Sequence, residues 1–181
     1  MPSSINYESP LKGYENAEPL QNDLNEDGQS LYNPPGPKSP AYDKFPAPID
    51  PRSNGFDFHI YYRPSSAGET NYATELHERI RREFPELRIY KLWDKPMGPH
   101  PTAMFEVGTF SPHETGAFFS WLVVFRGPLS VLVHPITDDK WRDHSDLVTW
   151  MGPPWPLYAE YLKGTPYDHE RHNGGSKAKP L

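Results

Sequence analysis

The chain has 181 residues, enough for one ordinary domain, yet 23 prolines and a mean hydropathy of -0.79 are too polar and too broken for a chain folded end to end. A net charge of -6 and a pI near 5.7 argue against a nucleic-acid partner, since phosphate binding draws on clustered Lys and Arg. No cysteine is present, which excludes disulfides, thiolate ligands and a Cys nucleophile, so a metal would be held by nitrogen and oxygen.

The opening "MPSSINYESPLKGYENAEPL" lacks the basic start and apolar stretch of a signal peptide, and no run approaches the ~18 apolar residues of a membrane span. The expectation is a soluble cytoplasmic protein with no membrane partner. Residues 1–52, with "YNPPGPKSPAYDKFPAPIDP", carry almost no periodic apolar pattern and read as a disordered or extended N-terminal arm.

From Gly55 the pattern changes. In "FDFHIYY", Phe56, Phe58, Ile60 and Tyr62 share one face and Asp57, His59 and Tyr61 the other, which predicts a strand. "ETNYATELHERIRREFPEL" places Tyr72, Leu76, Ile80 and Phe84 at helical spacing behind a Thr/Asn start, and Pro85 closes the helix. "LRIYKLW" reads as a second strand, "KPMGPHP" as a turn and "TAMFEVGTF" as a third strand. "SPHETGAFFSWLVVFRG" has the Ser cap, early Pro and Glu of a second helix, and "PLSVLVH" is the fourth strand.

The order βαββαβ predicts an α+β, ferredoxin-like fold, an antiparallel sheet with helices on one face. Its domain spans 53–155, and residues 156–181 form an extended C-terminal tail. The helix-free face would be open and would carry Asp57, His59, Tyr61, His100, Met104, Glu106, Ser130, Leu132 and His134. With the first and third strands central and the fourth beside the first, His59 and His134 come close enough to share a metal.

Each polar residue on that face also has a plain structural account. A mid-strand imidazole such as His59 can simply be satisfied and buried, but Asp57 and Tyr61 beside it make a converging polar group that needs a reason. His134 ends a strand before proline. Asp143 reads as the N-cap of a helix "HSDLVTWM", with His144 in its first turn. His100 lies in the stiff turn "MGPHP", toward the opposite end of the first strand from His134. Glu106 is a candidate ligand, or a partner for Arg63 or Arg126. His77, His113, His169 and His172 read as surface residues. No phosphate loop, GxSxG elbow or HExxH helix occurs. Histidines plus carboxylate without thiolate suit Fe(II), Mn(II) or Zn(II).

Three segments, "FHIYY", "PMGPHPTAMFEV" and "WLVVFRGPLSVLVHPITDDKWRDHSDLVTWMG", together resemble the DOPA 4,5-dioxygenase family of fungal and bacterial extradiol ring-cleaving enzymes. The resemblance covers about residues 55–155. It rests on the "GPHP" turn and on an HPxTxDxxxDH pattern formed by His134, Pro135, Thr137, Asp139 (with Asp138 beside it), Asp143 and His144. The family's first strand usually carries H-x-H, and here Asp57 stands at the first of those positions while His59 keeps the second.

The resemblance implies a homodimer of ferredoxin-like subunits with a non-haem Fe(II) centre, which opens a catechol such as L-DOPA with O2. It implies His59, His134 and His144 as metal ligands. His100 would serve as acid/base, with Tyr61 and Glu106 orienting the substrate. The alternative is a catalytically silent ferredoxin-like dimer that binds a small aromatic acid or a partner protein.

Overall fold

The computed structural model describes residues 8–50 and 54–165. The chain divides into two compact units, Met1–Lys38 and Ser39–Leu181. In the first, Leu24 and Leu31 form an antiparallel bridge. The Asp27 carboxylate closes the turn between them by accepting from the backbone N–H groups of Gln29 and Ser30, both at 2.8 Å.

In the second unit the elements run β1 (Phe56–Tyr62), α1 (Ala67–Glu83), β2 (Arg88–Ile89), β3 (Ala103–Thr109), α2 (Pro112–Phe125), β4 (Ser130–Pro135), α3 (Lys140–Asp143) and β5 (Thr149–Met151). The sheet order is β2-β3-β1-β4-β5, antiparallel throughout. Its first four strands have the ferredoxin-like arrangement that the element order predicts. β5 adds an edge that the sequence did not suggest.

Alternation along β1 decides the two faces. Phe58, Ile60 and Tyr62 pack with Phe105, Val107, Val131 and Val133 and with Leu76, Ile80, Phe118 and Leu122 of the helices. Each such side chain removed from water contributes about 1.5–3 kcal/mol. Ser66 and Ser111 cap α1 and α2 by accepting from Glu69 and Glu114 three residues on. α1 therefore starts near Ser66, a turn before the Thr/Asn start that the sequence suggests.

Three further expectations are corrected. β2 is two residues long, not a strand across "LRIYKLW"; beyond it Trp93 pairs with Met104 in an isolated bridge. The helix-free face is not open, because Tyr61, Met104 and Leu132 are buried there beneath Trp93, Met97, Val148, Trp150, Trp155 and Leu157. Asp143 caps no helix "HSDLVTWM": α3 ends at Asp143, and Thr149–Met151 pairs with β4 as strand β5. The residues beyond Thr165, with His169, His172 and most of the predicted tail, lie outside the described residues.

Candidate metal centre

Register brings the first part of the site together. On β1, Asp57 lies opposite His134 of β4 and Gly108 of β3, and His59 opposite Glu106 and Leu132. Gly108 leaves room there: a Cβ on it would meet the Asn54 amide nitrogen at 3.1 Å. Asn54 uses that space to donate a hydrogen bond to the Asp57 carboxylate. Burial pushes the Asp57 carboxyl up to about 7, with the Asn54 bond opposing it.

Local hydrogen bonds supply the rest. Past β4, Thr137 donates to Asp143 from its backbone N–H at 2.9 Å and from its hydroxyl at 2.6 Å, clamping the loop over six residues. Asp139 accepts from the Arg142 N–H at 3.0 Å and so caps α3. Thr137, Asp139 and Asp143 of the HPxTxDxxxDH pattern thus shape the turn that carries His144 back to the sheet. The Lys140 carbonyl, four residues earlier, accepts from His144 Nδ1 at 2.9 Å.

His100 arrives from the other side. Met97 and His100 exchange backbone hydrogen bonds around Gly98, whose φ of +55° is the left-handed backbone that glycine adopts without strain. Pro99 accepts from the Tyr158 N–H at 2.9 Å, which ties the turn to the chain after β5. His100 and His134 therefore border one cavity within a single subunit, contrary to the expectation that they lie at opposite ends of β1.

Ring centroids fall 4.1 Å apart for His59–His100 and for His134–His144, 5.1 Å for His59–His134, 5.6 Å for His100–His144 and 6.1 Å for His59–His144. All four line a cavity of about 290 Å³ together with Glu106, Asp57 and Asp143. That volume lies at the small end of ligand pockets, suited to a single-ring molecule. Two donor groups there could hold a metal ion: His59, His100 and His144, and Asp57, His59 and His134.

The hydrogen bonds assign the nitrogens. His134 Nδ1 faces the Pro135 carbonyl at 2.8 Å and His144 Nδ1 the Lys140 carbonyl. A carbonyl only accepts, so both rings carry their proton on Nδ1 and offer Nε2 as a lone pair. His59 Nε2 then lies 3.0 Å from the His134 Nε2 lone pair. If His59 donates across that contact, its buried Nδ1 is a second lone pair with no hydrogen bond, 3.8 Å from the Glu106 carboxylate.

A divalent cation held by His59 and His134 would remove this conflict, because the His59 proton would then sit on Nδ1, which faces Glu106. The donor set fits a divalent first-row ion.

Desolvation dominates the electrostatics. It holds His59 well below the ordinary imidazole range, with the neighbouring imidazoles adding to the effect. His100 is pushed down to about 3 by burial and then by His144. Burial also lowers His144; the Lys140 carbonyl bond opposes this and the Lys140 ammonium adds to it. Neutral imidazole is the form that binds a metal.

The other candidates separate. Tyr61 does not line the cavity; it lies against Trp150 and Trp155 and reaches the site through its hydroxyl, 2.6 Å from His100 Nδ1. Glu106 faces His59, while Arg63 bonds to Glu69 at 2.8 Å and Arg126 to the Leu129 carbonyl at 2.8 Å. His77 is half-buried, with Nε2 2.8 Å from the Tyr90 carbonyl, and His113 is exposed. Sequence reasoning missed Tyr90, Trp93 and Lys140, which line the cavity. Lys140 precedes His144 by one helical turn, a spacing that could have flagged it.

The fold is thus an antiparallel α+β sheet carrying a buried imidazole cluster whose donor groups could hold a metal ion. Residues 56–161 match the Dopa 4,5-dioxygenase family, and the chain belongs to that family. An uncharacterized 21.2 kDa protein of Botryotinia fuckeliana is 51% identical over 171 residues, covering 90% of this chain and 93% of the relative. A DOPA 4,5-dioxygenase of Amanita muscaria is 38% identical over 115 residues, covering 60% of this chain and 50% of that protein, so the match spans half of its length. A candidate dioxygenase of Nostoc punctiforme, known from a crystal structure, is 33% identical with a TM-score of 0.56, covering 62% of this chain and 93% of that one. The family places the chain among dioxygenases. Among the described residues no helix is long and apolar enough to cross a membrane.

Proposed function

We propose that the protein is an extradiol dioxygenase that opens the ring of L-DOPA or a related catechol with O2. In this reading His59, His134 and His144 hold a non-haem Fe(II). The observation that carries it is the imidazole cluster at His59: His134 and His144 are anchored through Nδ1 on backbone carbonyls, His134 Nε2 lies 3.0 Å from His59 Nε2, and His59 belongs to both donor groups that could hold an ion. Bound there, the metal would supply a site where the two catechol oxygens and O2 meet.

The chain's own residues do the rest. The Glu106 carboxylate, 3.8 Å from His59 Nδ1, favours a proton on that nitrogen through its charge and so leaves Nε2 with the lone pair that a metal would need. With its Nδ1–H donated to the Tyr61 oxygen, His100 offers Nε2 to the proton that a catechol hydroxyl must lose, and the resulting imidazolium keeps the Tyr61 bond. Tyr90 and Trp93, with ring centroids 6.0 Å apart, give the cavity an aromatic wall against which a planar ring can lie. Both atoms of O2 enter the ring-opened product, so no external reductant is needed.

The test is anaerobic purification, loading with Fe(II), and addition of L-DOPA and O2. Oxygen uptake with the appearance of a yellow semialdehyde is the expected result. No turnover of L-DOPA, caffeate or protocatechuate would sink the reading. The homodimer that the resemblance implies belongs to the same proposal, and Phe119, Val123 and Val124 of α2 are exposed apolar residues that a second copy could cover.

A further inference from the structure

Asp57 is a buried charge to which the proposed centre gives no task. It shares a face of β1 with His59 and stands directly opposite His134 of β4. Asp57, His59 and His134 are all buried, and one donor atom from each lies within 4.8 Å of the other two. Asn54, itself buried, steadies the carboxylate from the side away from solvent. Its amide donates to the Phe56 carbonyl at 3.1 Å and to Asp57 Oδ1, in the space that Gly108 leaves. That bond takes one of about four lone-pair positions on the carboxylate, and the residue borders the imidazole cavity. A buried carboxylate steadied by a neutral amide still carries a desolvation cost, which a cation held beside it offsets.

We propose that Asp57 is a ligand of the metal centre, its carboxylate acting together with His59 and His134. The proposal rests on the metal site in the reading above and deepens it, since His59 and His134 are common to both. The carboxylate adds an oxygen donor and a negative charge to the imidazoles, which favours harder ions such as Mn(II). The plain structural account is a carboxylate that serves the fold, through the Asn54 bond and the charge of Arg88. The two accounts differ in sign for Asp57→Asn, which keeps an acceptor for Asn54 and removes the charge. A ligand lost in this way costs metal affinity but spares the metal-free fold.

The test uses the full chain and the metal alone. In Asp57→Asn, Mn(II) and anaerobic Fe(II) should bind more than about 100-fold more weakly in chelator competition, beyond the 10–100-fold typical of a carboxylate outside the ligand set. The Tm under chelator should hold or rise. Electron–nuclear double resonance on the Mn(II)-loaded protein, labelled with carbon-13 at the aspartate side-chain carboxyls, reads the bond directly. A strong carbon-13 coupling is expected in the unmodified protein, and it should vanish in Asp57→Glu while the metal stays bound. Absence of the coupling in the unmodified protein would overturn the proposal, as would a coupling that survives Asp57→Glu. An affinity in Asp57→Asn within about tenfold of the original would do the same. Because no catechol is involved, the two readings fail separately. An Asp57 coupling without ring cleavage would remove the dioxygenase and leave the ligand, and ring cleavage without that coupling would do the opposite.

Discussion

Glu106 stands outside the proposed ligand set, yet in that reading its charge sets which nitrogen of His59 can join it. It is the residue opposite His59 across β1 and β3, and its carboxylate faces Nδ1. Carboxylates that fix a ligating imidazole typically account for a 10–100-fold difference in metal affinity. Glu106→Ala is therefore expected to weaken Fe(II) binding by about 10–100-fold in a chelator competition. Tyr61→Phe acts differently, because it removes the partner of His100 and touches no proposed ligand. It should leave iron affinity within about twofold and lower kcat by about 100-fold or more, in line with general acid–base groups. Equal losses of iron from both variants would contradict this division of roles.

At the scale of elements, the turn from β4 into α3 sets the geometry, and its hydrogen bonds can be removed singly. Thr137→Val deletes the hydroxyl that donates to Asp143 and accepts from the Asp139 N–H, while the backbone bond to Asp143 stays. The expected cost is about 1–3 kcal/mol in urea unfolding, because a buried carboxylate loses a donor, and Thr137→Ser should recover most of it. The strands of the site were legible in the sequence, since period-two alternation alone puts Asp57, His59, Glu106 and His134 on one face. His100, by contrast, reaches the site through long-range contacts, the Trp93–Met104 bridge and the Pro99–Tyr158 bond, and neither has a local pattern. β5 was hidden for a related reason: a three-residue edge strand is defined by its pairing with β4 and has too few residues to show a period. Lys140 was passed over because one lysine in an acidic, polar loop looks like any solvated charge.

For the whole molecule, the consequence of a built site is that metal binding and folding separate. His134 and His144 are held by backbone carbonyls, and Asp57 by Asn54, through bonds that need no ion. The fold should therefore persist without metal, unlike small domains that only fold around one. An ion that binds the folded chain alone still adds stability by mass action, about 2.7 kcal/mol at a hundredfold excess over Kd. For a chain of this size that corresponds to roughly 5–11 °C in Tm. Scanning calorimetry of the protein under chelator and then under excess Fe(II), both anaerobic, should show that rise on one cooperative transition. His134→Ala should melt cooperatively and lose the rise, since it removes a donor whose Nε2 lies 3.0 Å from that of His59. An undiminished rise in His134→Ala would place the metal elsewhere, and absence of a transition under chelator would mean that the ion, not the carbonyl bonds, organises the imidazoles.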